Sequence, residues 1–229
     1  MLSVLDSLAL EVQFLDRAAD FYETHLELQD DRDGHEVAYE VGDTTVVLRE
    51  PHPGGVPRGG LHVHYAFSTT EDYYAEWRDR LGEDFDLSEF QFGTARSLYF
   101  DDPDGHCVEI GTGGADGDEP LTGVFEVVLE VESLADAESF YRDLGFAVSD
   151  RGDERRRVRL TGPVDLELWE PQLGIADARG GVHADLAFRT SDPDAAATAV
   201  RDRACSVTDL DDAVRVRDPD GHYLTFKPD

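Results

Sequence analysis

Residues 98–110 have the sequence Leu98-Tyr99-Phe100-Asp101-Asp102-Pro103-Asp104-Gly105-His106-Cys107-Val108-Glu109-Ile110, which predicts a strand, a tight turn and a returning strand. In the turn, Pro103 fixes its own φ angle and Gly105 tolerates a positive φ angle. Aromatic and β-branched residues flank the turn, as is typical of hairpin strands. Because side chains alternate along a strand, Glu109 is expected on the face opposite Val108 and Ile110.

The same hairpin recurs near the C-terminus as Val216-Arg217-Asp218-Pro219-Asp220-Gly221-His222-Tyr223-Leu224-Thr225-Phe226. This second copy keeps the turn, and it has Thr225 at the position of Glu109. The chain therefore contains one structural element twice, and only the first copy has a carboxylate at this position.

The chain is strongly acidic, since its 229 residues include 20 Lys and Arg against 51 Asp and Glu, for a formal net charge of −31. Such a charge repels nucleic-acid phosphates and anionic membranes, so neither is an expected partner. The acidic residues are spread along the chain, which indicates adaptation to high salt, where ions screen the self-repulsion. An aromatic content of 10% and clear hydrophobic periodicity argue against disorder.

Cysteine spacing and hydropathy give expectations about location. Cys107 and Cys205 fit neither a zinc motif nor a disulfide framework. The N-terminal residues lack a basic segment followed by an apolar one, and no apolar run approaches about 20 residues. We therefore expect a cytoplasmic protein without a signal peptide or a membrane span.

The first half of the chain contains two similar units of strand, helix and further strands. In the first unit, an alternating strand over 5–12 precedes a helix that Asp16 can cap and that runs to about Leu26. Gly42-Asp43 then joins two strands as a hairpin. The second unit has a strand over 61–68 and a helix over 71–81, and it ends with the hairpin described first. Each unit is thus a βαβββ module.

The second half repeats this plan. Residues 125–131 and 134–144 predict a strand and a helix, and 182–189 correspond to 61–68. Self-similarity at about half the chain length indicates a duplicated architecture. A Gly- and Asp-rich segment separates the halves. We expect one domain over 1–113, a linker over 114–121 and a second domain over 122–229.

These segments resemble the vicinal oxygen chelate superfamily, which includes glyoxalase I, extradiol dioxygenases, fosfomycin and bleomycin resistance proteins, and methylmalonyl-CoA epimerase. The resemblance lies in Asp20-Phe21-Tyr22, in residues 60–67, in the hairpin from Asp102 to Glu109, and in their second-half counterparts. It covers almost the whole chain. It implies an α+β fold in which four βαβββ modules form two tandem glyoxalase-like domains with open, curved mixed sheets. One such scaffold supports many reactions.

In this superfamily, metal ligands come from the first and last strands of each module. The resemblance places these positions, from the first module to the fourth, at Ser7 and Val47, His64 and Glu109, Glu126 and Glu167, and Asp185 and Thr225.

The resemblance allows two ways of combining the modules. Extradiol dioxygenases use two histidines and a carboxylate within one domain, but Ser7 stands where the first histidine is needed. Glyoxalase I takes two ligands from each of two domains, which here combines His64 and Glu109 with Glu126 and Glu167. The remaining modules cannot hold a metal well. Our hypothesis is a fused pseudo-dimer with one metal site and one lapsed site.

One imidazole and three carboxylates suit a divalent ion such as Mn²⁺, Fe²⁺, Ni²⁺ or Co²⁺, or Zn²⁺ with added waters. A substrate with adjacent oxygens could chelate that ion, which would stabilise a developing enolate as a Lewis acid. Glu109 or Glu167 could then accept a carbon-bound proton. Each ligand also has a structural explanation: His64 could be hydrogen-bonded, and each glutamate could lie on a solvated strand face.

Further side chains are candidates for contacting a substrate in the cleft. These are His62, Tyr65, Arg96, Tyr99 and Trp169. Arg96 could bind a substrate anion, although a surface ion pair is its simpler explanation in an acidic protein.

Three functions remain open at this stage. The first is a metal-dependent lyase or isomerase of the glyoxalase type, acting on an α-hydroxycarbonyl compound or a thiol adduct. The second is a ring-cleaving dioxygenase that uses Fe²⁺ or Mn²⁺. The third is a metal-free binding protein that sequesters a ligand, as bleomycin resistance proteins do. A monomer that is an internal pseudo-dimer, or a weak homodimer, is expected in each case.

Overall fold

In the computed structural model of this chain, residues 1–50, 63–113, 117–152, 156–170 and 184–229 are described. They form four copies of the order strand, helix and three strands, which confirms the predicted βαβββ modules.

The helices are α1 (Leu15–Leu26), α2 (Glu71–Leu81), α3 (Leu134–Asp143) and α4 (Pro193–Val200). The strands of modules one and two are β1 (Leu2–Glu11), β2 (Asp30–Asp33), β3 (Glu36–Val41), β4 (Thr44–Arg49), β5 (Val63–Ser68), β6 (Ser88–Phe92), β7 (Ala95–Asp101) and β8 (Cys107–Gly111). Those of modules three and four are β9 (Gly123–Glu130), β10 (Ala147–Arg151), β11 (Arg157–Thr161), β12 (Asp165–Trp169), β13 (Asp185–Thr190), β14 (Ser206–Asp209), β15 (Val214–Arg217) and β16 (Tyr223–Pro228).

The strands form two mixed sheets, and each sheet joins one module from each half of the chain. The first, which we call the site sheet, has the order β10-β11-β12-β9-β5-β8-β7-β6 and combines modules two and three. The other, which we call the second sheet, has the order β14-β15-β16-β13-β1-β4-β3-β2 and combines modules four and one. Antiparallel pairing of β5 with β9, and of β1 with β13, makes the two junctions.

Apolar side chains of the helices and of the strand faces form the core. Phe21 and Tyr22 of α1 are buried in it, as are Phe140 and Tyr141 at the matching positions of α3. The outermost strands β2, β6, β10 and β14 are largely exposed, so their residues lack the alternation that predicts a strand.

The two Asp-Pro-Asp-Gly turns connect the sheets. The Tyr22 hydroxyl of module one donates to Asp102 of module two at 2.9 Å, and the Tyr141 hydroxyl of module three donates to Asp218 of module four at 2.8 Å. All four residues are buried. Each half of the chain therefore packs its own two modules together, while each sheet runs from one half into the other.

One helix boundary differs from the prediction. Helix α1 begins at Leu15 with Phe14 at the N-cap, whereas Asp16 was expected to cap it. Asp16 lies in the first turn, where its negative charge still complements the helix dipole. The Gly42-Asp43 hairpin is confirmed, since Val41 pairs with Thr44. Among the described residues, no helix is both long and apolar enough to span a membrane.

Candidate metal centre

Strand register places four predicted ligands on one face of the site sheet. Ala66 of β5 pairs with Glu109 of β8 on one side and with Glu126 of β9 on the other. His64 shares the face of Ala66 because it lies two residues away. Glu167 of β12 pairs with Val128, two residues from Glu126, and so it faces the same way.

Three of these side chains converge. His64 Nε2 lies 3.0 Å from Glu109 Oε2, and one ligand atom from each of His64, Glu109 and Glu126 lies within 4.8 Å of the others. All three residues are buried, with exposed fractions of 6%, 4% and 5%. Within the described part of the chain, this is the group of histidine and acidic side chains that could hold a metal ion.

Two arginines of β11 hold the fourth predicted ligand beside this group. Arg157 Nη1 and Arg159 Nη1 each donate to Glu167 Oε1 at 3.1 Å, and Trp169 Nε1 donates to Glu167 Oε2 at 2.8 Å. Arg159 also lies 2.5 Å from Glu126 Oε2. Both arginines are placed by pairing of β11 with β12, in which Arg159 is opposite Glu167.

Glu126 lies among like charges. Burial, followed by the charge of Glu167, raises the pKa of Glu126 to about 8, although Arg159 opposes the shift and Glu109 adds to it. Even with Arg159 beside it, the Glu126 carboxyl group therefore ionises less readily than an exposed glutamate does. A divalent ion among these oxygens would supply the missing positive charge. A histidine nitrogen and carboxylate oxygens within this spacing fit such an ion, because hard divalent ions favour these donors.

Aromatic rings stand beside the histidine. The ring centroid of His64 lies 5.6 Å from that of Tyr99 and 6.2 Å from that of Trp169. Tyr99 pairs with Glu109 across β7 and β8, and burial together with the charge of Glu109 raises the pKa of Tyr99 above its usual value. The structure thus brings Tyr99 and Trp169 to the face of the proposed ligands.

The structure does not bring Tyr65 and Arg96 to this face. Tyr65 points to the opposite side of β5, where it is fully buried and its hydroxyl contacts that of Tyr22. Arg96 is also on the opposite side of its strand, in an ion pair with Glu71 and 4.4 Å from the ring centroid of Tyr74. His62 lies outside the described residues.

Sequence reasoning did not identify Arg157 and Arg159 as part of this site. Residues 154–160 have the sequence Glu154-Arg155-Arg156-Arg157-Val158-Arg159-Leu160, which in an acidic chain is typical of a solvated strand. The alternation of Arg157, Val158, Arg159 and Leu160 did contain a signal, because it puts both arginines on one face.

On the second sheet, arginines surround the corresponding position. Asp185 Oδ2 lies 3.2 Å from Arg49 Nη1 and 3.2 Å from Arg215 Nη2, and the Thr225 hydroxyl donates to Asp185 Oδ1 at 3.2 Å. Ser7 pairs with Ala187 on this sheet, away from His64 and Glu109. The described residues form no metal-binding group here.

No protein-family model matches the chain, and no curated protein matches it. Two similar solved structures cover nearly all of it. A candidate dioxygenase from Bacillus subtilis superposes with a TM-score of 0.71 at 17% sequence identity, covering 100% of this chain and 86% of that protein. Glyoxalase I from Zea mays superposes with a TM-score of 0.70 at 18% identity, covering 98% of this chain and 92% of the maize chain.

These comparisons confirm the expected fold. The similarity extends over both halves of the chain in each case, as a tandem arrangement of glyoxalase-like modules requires. The chain therefore has the tandem glyoxalase-like fold of these two structures, a scaffold on which the reaction depends on the site residues.

Proposed function

We propose that this protein is a divalent-metal-dependent lyase or isomerase of the glyoxalase type, acting on a small molecule with adjacent oxygen atoms. The main support is the convergence of the buried His64, Glu109 and Glu126 on the site sheet. Arg159 gives Glu126 one positive neighbour, and a divalent ion would add the further positive charge that offsets the desolvation cost of a buried acidic pair.

In this proposal, His64, Glu109 and Glu126 hold the ion, and Glu167 completes the ligand set. The metal would act as a Lewis acid that stabilises negative charge developing on a substrate oxygen. Arg159 lies next to Glu126 Oε2 and Glu167 Oε1, so it competes with the ion for these two carboxylate oxygens.

A carboxylate is also needed to accept a proton from a substrate carbon. Glu167 is well placed for this role because Trp169 and Arg157 orient its carboxylate next to the proposed ligands. Glu109 is the alternative acceptor. The Trp169 indole, which is almost fully buried, packs beside His64.

A second function is a metal-free binding protein, and the same arginines support it. Arg157 and Arg159 already satisfy Glu167 without any ion. A ring-cleaving dioxygenase has less support: among the described residues, only one histidine belongs to the ligand group, whereas the extradiol enzymes use two.

Elemental analysis of protein purified in high salt without chelators tests the proposal. We expect about one divalent ion per chain, a large loss in Glu109→Gln and a smaller loss in Glu167→Gln, whose side chain lies beside the group of three. Glu119→Gln changes an exposed carboxylate and serves as the matched control. Metal-free wild-type protein, or an undiminished metal content in Glu109→Gln, would contradict the proposal. Oxygen consumption with catechols would instead identify a dioxygenase.

A further inference from the structure

Two exposed phenylalanines lie at one edge of the site sheet. Phe90 and Phe92 of β6 have exposed fractions of 56% and 59%. They face the same side of the strand as Ser88, so this face of β6 has no charged side chain. Large exposed aromatic residues are costly in water and often mark a contact with another molecule.

Register puts both rings on the face that holds the candidate metal centre. Ser88 pairs with Tyr99, which pairs with Glu109. Phe90 and Phe92 therefore project on the same side of the sheet as the Glu109 carboxylate.

The rings form a continuous series that ends at the proposed histidine ligand. The centroid of Phe92 lies 6.5 Å from that of Phe90, which lies 5.6 Å from that of Tyr99, and Tyr99 lies 5.6 Å from His64. We call Phe92, Phe90 and Tyr99 the aromatic strip. These spacings are within the range in which aromatic rings interact favourably, so an aryl group could pack against the exposed rings of the strip.

We propose that the aromatic strip binds an aryl arm of the substrate, whose adjacent oxygens reach the metal centre. This inference rests on the proposed function and names the substrate class: an oxygen-chelating compound with an aromatic substituent, such as an aryl α-hydroxycarbonyl.

The opposite side of the centre explains why the arm takes this direction. There, Arg159 donates a hydrogen bond to Asp165 at 3.0 Å, and Arg157 donates one to Asp150 at 2.7 Å. An apolar group laid over these ion pairs would remove water from charged groups without replacing their hydration. Covering Phe90 and Phe92 instead removes apolar surface from water, which is favourable.

A second copy of the chain is the competing occupant of the strip. The net charge of −31 opposes contact between copies, particularly at low salt. The strip also lies on the sheet face next to the metal centre, whereas strand pairing between copies would use the backbone edge of β6.

Binding of two hydroxamates, measured by calorimetry on the Mn²⁺-loaded protein, tests this inference. Benzohydroxamate and acetohydroxamate chelate through the same two oxygens and differ in the aryl arm. We expect wild-type protein to bind benzohydroxamate about tenfold more tightly than acetohydroxamate, because the ring buries apolar surface on the strip. Phe90→Ala and Phe92→Ala should each reduce this ratio several-fold and leave acetohydroxamate affinity unchanged. Phe14→Ala is the control, since Phe14 is 58% exposed and lies outside the strip.

The outcomes separate the inference from the function on which it rests. Equal affinity for the two hydroxamates in wild-type protein, or an unchanged ratio in both strip variants, overturns the aromatic site while metal chelation stands. If no metal loads and neither compound binds, the proposed function fails and the inference fails with it. Sedimentation that shows a dimer, dissociated by Phe92→Ala, would assign the strip to an interface between copies and overturn the inference.

Discussion

Asp185 occupies on the second sheet the position that His64 occupies on the site sheet. Asp185 lies two residues before Ala187, which pairs with Thr225 of the last hairpin. In the same way, His64 lies two residues before Ala66, which pairs with Glu109. His64 faces Glu109 and Glu126, whereas Asp185 faces Arg49 and Arg215. The site sheet thus brings a histidine and two acidic side chains together, while on the second sheet two arginines pair with the single carboxylate of Asp185.

Replacing Asp185 should affect stability and leave metal content unchanged. Asp185→Ala leaves two partly buried guanidinium groups close together without their shared carboxylate. We expect the free energy of unfolding to fall by about 3 kcal/mol, as when one partner of a buried ion pair is removed. Urea unfolding measures this loss, and Asp185→Asn should lose less because it can still bond Thr225. A fall in bound metal for Asp185→Ala would contradict the assignment of the second sheet.

Replacing Glu126 should have the opposite effect on stability. In chelator-treated protein at neutral pH, Glu126→Gln removes a buried acid crowded by Glu109 and Glu167. We expect the free energy of unfolding to rise by about 2 kcal/mol, because ionisation favours the unfolded chain at this site. The same variant should bind metal more weakly. A Glu126→Gln variant that is less stable and still fully metal-loaded would show that Glu126 serves to pair with Arg159 and does not bind the metal.

Hydrophobic alternation and turn chemistry predicted the helix and the three inner strands of each module. The strands next to the sheet junctions are buried on at least one face, so their patterns are strong. The edge strands β2, β6, β10 and β14 are exposed, and nothing in their hydropathy separates them from loops. The pairing of module two with module three came from the resemblance, because sequence patterns alone do not determine which sheet a strand joins.

The site was less predictable than the fold, because the sheet face on which a side chain lies changes with every residue along a strand. Tyr65 follows His64 directly, so alternation alone places it on the other face, although its aromatic character had favoured a substrate contact. Arg96 lies three residues before Tyr99 on β7, so the same alternation places it on the face opposite Tyr99. Arg159 could be assigned to the site only when register set it opposite Glu167, because one arginine in a charged strand resembles any other.

The hydrogen bonds from Tyr22 to Asp102 and from Tyr141 to Asp218, which tie a helix of one module to the turn of the next, should contribute strongly to stability. Tyr141→Phe removes a buried hydrogen bond to the Asp218 carboxylate, which then keeps, among the described residues, the backbone donors of its own turn. We expect a loss of about 2 kcal/mol in the free energy of unfolding, the usual range for a bond to a charged group. Tyr73→Phe is the control, because its hydroxyl bonds Asp118 at the surface. Equal effects of the two substitutions in urea unfolding would show that the buried Tyr141–Asp218 hydrogen bond contributes no more to stability than an exposed one.

Salt should stabilise this protein. With a net charge of −31, the folded state repels itself, and raising KCl from about 0.1 M to about 1 M shortens the screening length from about 10 Å to about 3 Å. We expect the thermal unfolding midpoint to rise over this range. Sulfate at the same ionic strength controls for salt effects on apolar burial. A midpoint that is flat or falls with KCl would show that the acidic surface is not self-repulsive in the folded state.

Acid should destabilise the fold through His222. Its ring is fully buried, and Nε2 lies 3.0 Å from the carbonyl oxygen of Glu130, to which it can donate as a neutral imidazole. Burial lowers the pKa of His222 from 6.5 to about 4. Between these two values the unfolded chain binds one more proton at this residue than the folded chain does, so stability falls as the pH falls.

The change from pH 7 to pH 5 should therefore reduce the free energy of unfolding by about 2 kcal/mol through this group alone. His222→Gln retains a donor for the Glu130 carbonyl and cannot titrate, so its stability should fall less over the same interval. The buried Asp218 and the half-buried Asp220 lie in the same turn with raised pKa values, and their protonation acts in the opposite direction. Because both remain in the variant, the difference between the two pH slopes isolates His222. Parallel slopes in urea unfolding would mean that the buried imidazole takes up its proton without opening the fold.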